Sequence, residues 1–284
     1  MTDKIIALVD GSIYSKSVCE QAAWAAKRTG APVDVLHVIG RRDQAGSSDL
    51  SGSIALGART ALLEELSRLD EQRARLMQQR GRAIVEDGKA VIVAAGVADV
   101  TARLRMGDLV NTVAEQESDA SLVVIGKRGE AAGFAALHLG SNLERVARAS
   151  IKPVLVAARA YREISKVLIA WDGGASSQRA VDHIARNPLF AGLSLTVVTV
   201  GQASPELDRS LGSAKAMLAG AGFEAETRII AGQPDKALGQ MVTNEGFDMV
   251  VMGAYGHSRI RTLVIGSTTS EMIRSCKVPI YLMR

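Results

Sequence analysis

Glycine and hydroxyl residues follow an apolar stretch near the end of the chain. The segment GAYGHSRIRTLVIGSTTSEMIRS, residues 253–275, comes directly after the run FDMVVM. Glycines let a backbone approach a ligand closely, and the free N–H groups at the start of a helix form an anion site. Ser267 and Thr268 add hydroxyl donors, and Arg259 and Arg261 add positive charge. This chemistry suits a nucleotide phosphate.

The same loop occurs a second time in the first half of the chain. Residues 122–157 align with residues 249–283, and the upstream segments match as well. Such self-similarity indicates a tandem duplication, with domains predicted at residues 1–160 and 161–284. The equivalent positions are Asp10 with Asp172, Gly126 with Gly253, Gly129 with Gly256, and Gly140-Ser141 with Gly266-Ser267.

The elements that must position these loops alternate between strands and amphipathic helices. The runs KIIALV, VDVLHVI, AVIVAAGV, SLVVIG and PVLVA of the first half are rich in Val, Ile and Leu. Near-continuous apolar runs are typical of strands buried on both faces. We therefore predict an α/β fold, with one doubly wound parallel sheet flanked by helices in each half.

One long segment has no counterpart of equal length in the second half. Residues 41–88 form an insertion, and leucines at helical spacing predict a helix at about 54–87, of roughly seven to nine turns. The simplest interpretation is a crossover helix that packs on the sheet. A partner-binding role is the alternative.

Composition and missing motifs exclude several classes of protein. The net charge is only +4 and the basic residues are scattered, so we expect no DNA partner. No stretch is long and apolar enough for a membrane span, and the two cysteines lack metal-site spacing, so we expect a cytoplasmic protein without a metal cluster. The motifs GxxxxGK[ST], GxSxG and HExxH are absent, and no catalytic constellation stands out.

Two aspartates end the first strand of each repeat. Asp10 and Asp172 each precede a glycine. A carboxylate there could accept hydrogen bonds from a ribose, or it could cap the helix that follows. Both interpretations stay open at this point.

With the repeat and its loop established, the chain resembles the universal stress protein family in its tandem form. The resemblance rests on the two strand-end aspartates and on the signature G-x2-G-x9-G-[ST]. It implies a five-stranded sheet of order 3-2-1-4-5 in each half, joined through the last strands as a dimer within one polypeptide. Whether two such chains form a further homodimer is open.

The resemblance also implies binding of ATP, carried over position by position. The second half has nine residues between its second and third signature glycines and is the preferred site. The first half has ten; there Lys127 and Arg128 could compensate electrostatically or could mark a loop that folds onto the protein. The preferred site comprises Asp172, Val200, Gly253, Gly256, Gly266, Ser267 and Thr268, and the second site Asp10, Val38, Gly126, Gly129, Gly140 and Ser141.

Two functions therefore remain from the sequence, with enzymatic chemistry on a nucleotide kept as a third, lesser candidate. The first is a cytoplasmic stress-response protein that binds ATP, with or without Mg²⁺, as a nucleotide-linked switch with little or no hydrolysis. The alternative is a nucleotide-free scaffold that binds a partner protein or a small apolar ligand.

Overall fold

Two units with the same order of strands and helices follow one another along the chain. The computed structural model describes residues 3–40, 56–129, 141–254 and 266–284. The first unit comprises β1 (Lys4–Leu8), α1 (Ser15–Thr29), β2 (Val33–Ile39), α2 (Leu56–Ala94), β3 (Val100–Met106), α3 (Leu109–Gln116), β4 (Ala120–Gly126), α4 (Ser141–Ala149) and β5 (Val154–Ala157). The second comprises β6 (Lys166–Ala170), α5 (Ala175–Arg186), β7 (Ser194–Val200), α6 (Pro205–Gly220), β8 (Ala225–Ile230), α7 (Pro234–Glu245), β9 (Met249–Gly253), α8 (Ser267–Ser275) and β10 (Ile280–Met283).

The described strands form a single sheet of ten, in the order β3-β2-β1-β4-β5-β10-β9-β6-β7-β8. Each half reads 3-2-1-4-5 when its own strands are numbered, which confirms the predicted doubly wound α/β fold. Neighbouring strands are parallel within each half. The halves meet where β5 pairs with β10 in the antiparallel direction. The predicted domain boundary between residues 160 and 161 remains a prediction.

The prediction of a strand at AVIVAAGV was wrong. Residues 90–94 form the last turn of α2, and the third strand is VTARLRM at Val100–Met106. Ile92 is buried, so this helix end is apolar for the same reason that a strand would be. The true β3 lies at the edge of the sheet, where half-exposed positions carry arginines and the apolar signal is weak.

Helix α2 is longer than predicted, because the helix continues through the apolar residues assigned to a strand. Its 39 residues make about eleven turns rather than seven to nine. From Gly81 onward it packs on the sheet as a crossover helix should, with Val85 and Ile92 buried. Gly88 allows close contact, since a Cβ there would lie 2.9 Å from the Val35 side chain. Within the described residues, no helix has both the length and the hydropathy needed to cross a membrane.

A buried aromatic cluster supports the junction between the halves. Tyr281 of β10 is paired with Leu155 of β5 and is fully buried. Its ring contacts Phe190 edge-on and stacks on His183 of α5. The Asn187 side-chain oxygen accepts from a backbone N–H, so it is the side-chain NH₂ that faces His183 Nε2, at 3.0 Å, and donates to it. Nε2 is therefore an acceptor, and the Tyr281 hydroxyl donates to it across 2.8 Å.

Acid should weaken this cluster. Burial lowers the pKa of His183 below its ordinary 6.5. Between this lowered pKa and pH 6.5, His183 is protonated in the unfolded chain but neutral in the folded chain. The stabilisation that comes from packing a neutral His183 is therefore fully present above pH 6.5 and is lost as the pH falls through the folded-state pKa. The free energy of unfolding should fall by up to about 1.4 kcal/mol per pH unit in that window. His183→Gln keeps an acceptor for Tyr281 without titrating, so its urea denaturation curves should change less between pH 7 and pH 5. Parallel pH dependence in the two proteins would contradict the assignment.

Candidate functional site

A cavity of about 730 Å³ lies at the carboxyl ends of the first-half strands. Residues at the ends of β1, β2 and β4, the start of α1 and the start of α4 line it. Because β1 lies between β2 and β4, the strand order reverses here. Doubly wound sheets bind their ligands at such a switch point.

Asp10 sits in the wall of this cavity, in a loop that its own side chain holds in place. One carboxylate oxygen accepts from the Ser12 backbone N–H at 3.0 Å and from the Ser15 hydroxyl at 3.3 Å. The Ser15 oxygen in turn accepts from the Gly11 N–H at 3.0 Å. Gly11 has φ 77°, a conformation that glycine adopts without steric cost. The loop is thus built to present a carboxylate at the strand end.

The second half repeats this arrangement. Asp172 accepts from the Gly174 N–H at 2.9 Å and from the Ser177 hydroxyl at 2.6 Å, and Gly173 has φ 73°. Of the two interpretations left open by the sequence, helix capping is not supported. The cap residues of α1 and α5 are Tyr14 and Gly174, and neither helix has a side-chain cap. Both aspartates instead fix the turn that precedes the helix.

The strand-end glycines are required by packing. A Cβ on Gly126 would lie 2.7 Å from the Cβ of Tyr14. A Cβ on Gly253 would lie 2.7 Å from the Cβ of Ser176, the equivalent residue of the second half. Both contacts are with atoms next to the backbone, so only glycine fits without moving the helix.

Gly129 is placed differently from these two glycines. A Cβ there would lie 2.8 Å from Asp10 Oδ2, the carboxylate oxygen opposite the one that holds the turn. Gly129 and Asp10 both line the cavity. This glycine therefore leaves room beside the carboxylate at the cavity wall.

Two arginines contribute positive charge to the wall. Arg128 and Arg145 line the cavity together with Asp108. Arg145 donates to Asp108 Oδ2 at 2.6 Å, while Oδ1 caps α3 by accepting from Val110 and Asn111 N–H groups. The Arg145 hydrogen bond, followed by the bond from Asn111, holds the pKa of Asp108 below its usual range.

Lys127 does not face the cavity, which answers one question left by the sequence. Its ammonium group donates to the backbone carbonyl of Cys276, at the end of α8 in the other half. The side chain is buried, and this burial lowers the pKa of Lys127. Lys127 thus attaches the first-half loop to the second half, and only Arg128 of the pair lies beside the cavity.

The structure brings together four residues of the site predicted in the first half. Asp10, Val38, Gly126 and Gly129 all line the cavity, and Ser141 begins α4. In the second half, Val200 ends β7, and Ser267 and Thr268 open α8 behind the cap residue Gly266. Predictions at Gly140, Gly256, Arg259 and Arg261 lie outside the described residues.

Sequence reasoning missed four features of the site. The hydroxyls of Ser15 and Ser177 could have been found, since each lies five residues after its aspartate in both repeats. Asp108 precedes a helix as a cap does, which was a usable signal. No sequence signal pointed to Arg145, because its ion pair with Asp108 forms only where α3 and α4 approach each other. His37, whose Nδ1–H donates to the Val9 carbonyl at 2.7 Å, also lines the cavity.

The fold and the site define the chain as a tandem doubly wound α/β protein with a ligand-sized cavity at a strand-order switch point. The model of the Universal stress protein family matches residues 1–158 and 163–284. The chain therefore belongs to the universal stress protein family.

Individual relatives agree with this assignment. The chain is 37% identical to the universal stress protein Slr1230 of Synechocystis over 284 residues, which cover 99% of both proteins. A universal stress protein structure from Archaeoglobus fulgidus has a TM-score of 0.74 at 21% identity and covers 100% of this chain and 99% of that one. A structure from Pseudomonas aeruginosa PAO1 has a TM-score of 0.63 at 16% identity, with 99% and 92% covered. At these identities the two structures show a shared fold.

Adding one methyl group at Gly253 should destabilise the protein. Gly253→Ala forces Ser176 and the start of α5 to move, at a cost of about 1–3 kcal/mol. The matched control is Gly212→Ala on the exposed side of α6, where nothing lies within 4 Å of the new Cβ. That change should stabilise the helix by up to about 1 kcal/mol. Urea denaturation of both variants measures the difference, and equal tolerance would show that the strand-end contact is not tight.

Proposed function

We propose that this protein binds ATP or a related adenine nucleotide at the carboxyl ends of its strands and acts as a nucleotide-linked switch in a stress response. The observation that carries the proposal is the cavity at the β1/β4 switch point, with Asp10, Gly126 and Gly129 in its wall. Its volume of about 730 Å³ falls within the usual range for small-molecule sites.

Each part of a nucleotide has a chemical counterpart in the wall. Val38, half-buried near the end of β2, offers an apolar surface to the adenine. Asp10 offers carboxylate oxygen to ribose hydroxyls, as a charged acceptor makes strong hydrogen bonds. The start of α4 and the Arg128 guanidinium attract phosphate, since a helix N-terminus and a cation both favour negative charge.

The proposal includes little or no hydrolysis. Among the carboxylates of the described wall, Asp108 is held by Arg145 and by two backbone N–H groups, and Asp10 is held by its turn. Both carboxylates therefore hold local structure through hydrogen bonds that would weaken or break if either acted as a general base. Mg²⁺ would arrive with the phosphates, because it retains several waters and needs few protein ligands.

Binding of a nucleotide to the folded state alone suffices for a switch. It raises stability by RT ln(1 + [L]/Kd), about 2.7 kcal/mol at a hundredfold excess over Kd. The persistence of the protein would then follow the nucleotide level. Both cysteines are buried free thiols, which suits the cytoplasmic location that the proposal includes.

The second half is proposed as an equivalent site, and it remains the preferred one because of its nine-residue signature spacing. Asp172, Gly173 and Ser177 repeat the geometry of the first-half turn. Val200 lies half-buried at the end of β7, as Val38 does near the end of β2.

A bulky side chain at the strand end should block one half at a time. Val38→Trp fills the adenine region of the first half, and Val200→Trp that of the second. Native mass spectrometry of the chain with Mg-ATP counts the bound nucleotides. We expect each variant to lose one nucleotide per chain, with at least a tenfold loss of affinity at the blocked half, or about 1.4 kcal/mol.

The control is Val93→Trp on the exposed face of α2, which should bind as the wild type does. Melting curves without nucleotide show whether each variant folds. A wild-type protein that binds no adenine nucleotide, or two strand-end variants that bind normally, would contradict the proposal. Sustained conversion of ATP to ADP would contradict its non-hydrolytic part.

The alternative function is a nucleotide-free scaffold for a partner protein or a small apolar ligand. One observation favours a protein contact: Leu63, Leu69 and Leu76 of α2 are all at least half exposed. This surface lies on a helix that does not line the cavity, so it is compatible with nucleotide binding.

A further inference from the structure

The amino-terminal part of α2 has little tertiary packing over a considerable length, although Gln78 near its end contacts Met106 Sδ of β3 at 3.8 Å. Among the described side chains of this helix, none from residue 63 to residue 80 is buried, although the helix runs without interruption into the packed part that starts at Gly81. Eighteen residues span about 27 Å. In proteins most of the stability of a helix comes from tertiary packing of its apolar face.

Four residues of this part form a stripe, which we call the leucine ridge: Leu66, Leu69, Arg73 and Leu76. Their spacing of three, four and three residues places them within about 80° of arc on one side of the helix. Leu69 and Leu76 are 51% and 65% exposed. The ridge lies to one side of the face that packs on the sheet: from the ridge residues, Val85 is roughly 100–180° and Gly88 roughly 40–120° around the helix.

Charge is separated along the same stretch. Residues 64–71 carry four carboxylates and one arginine, whereas residues 73–82 carry four arginines and no acidic side chain. One exposed ion pair, Arg75 with Glu71 at 2.6 Å, joins the two segments within the helix. The charged side chains are Glu64, Glu65, Arg68, Asp70 and Glu71 in the first segment, and Arg73, Arg75, Arg80 and Arg82 in the second.

We propose that the leucine ridge binds the leucine ridge of a second copy of this chain, with the two α2 helices antiparallel. In that orientation Leu66 of one helix meets Leu76 of the other, and each acidic segment lies beside a basic one. A parallel pair would place acid against acid and base against base. The charge pattern is complementary to itself only when reversed, and two antiparallel helices related by a two-fold axis perpendicular to them meet this condition.

Sedimentation velocity of the full chain across the micromolar range tests the contact. The wild-type protein should show a species of twice the 30.0 kDa chain mass. The double variant Leu69→Glu, Leu76→Glu should sediment as a monomer and should melt at the temperature of the wild type diluted to its monomeric state, because both side chains are exposed. The matched control is Leu63→Glu: Leu63 is 56% exposed but lies about 120° around the helix from Leu69, so it should leave the dimer intact.

A charge exchange identifies the partner as a second copy. The variant Arg73→Glu, Arg75→Glu and the variant Glu64→Arg, Glu65→Arg should each self-associate at least ten times more weakly than the wild type at low salt. Mixed together they should form a dimer, and added salt should weaken it. A wild-type chain that stays monomeric, a dimer that survives the ridge substitutions, or a mixture that fails to associate would overturn the proposal.

Discussion

The antiparallel pairing of β5 with β10 is the interaction on which the rest of the structure depends. It joins strands of only four residues each, with Leu155 and Tyr281 paired and both fully buried. The pairing removes one exposed edge from each five-stranded sheet, so that β3 and β8 are left as the edges of the joined sheet. Because the pairing is antiparallel, the carboxyl ends of the strands point in opposite directions in the two halves. The two candidate sites therefore lie beyond opposite ends of the strands of the joined sheet.

Lys127 and Arg284 cross that junction, and each reaches the end of the equivalent helix in the other half. Lys127 of the first half donates to the Cys276 carbonyl at the end of α8, and Arg284 of the second half reaches the Ala149 and Ser150 carbonyls at the end of α4, each at 3.4 Å. The last carbonyls of a helix lack partners within the helix and attract positive charge. Lys127 also lies between Gly126 and Arg128 of the cavity wall. The candidate site of the first half is thus attached directly to the last helix of the second.

The sequence was sufficient for the repeat and for the family, because both depend on local patterns that occur in each half, and the family resemblance in turn implied the strand order. The prediction was wrong at residues 90–94, where a helix end buried against the sheet has the composition of a strand, and where β3 at the sheet edge carries Arg103 and Arg105. The role of Lys127 was left open, because its partner is 149 residues away. Local periodicity contains no information about contacts across the junction. The turn around Asp10 was more predictable, because its hydrogen-bond partners Ser12 and Ser15 lie within five residues of Asp10.

The glycines of the loop illustrate why a motif alone identifies a site poorly. Gly126 and Gly253 would be needed without any ligand, since a Cβ at either position would collide with the first helix of its half. Their presence therefore supports the fold more than the function. Gly129 differs, because the atom nearest to its missing Cβ is a carboxylate oxygen of Asp10 rather than a packed helix. A side chain at Gly129 would displace or cover this carboxylate beside the cavity. Among Gly126, Gly129 and Gly253, only Gly129 would place its Cβ against a carboxylate oxygen of the cavity wall.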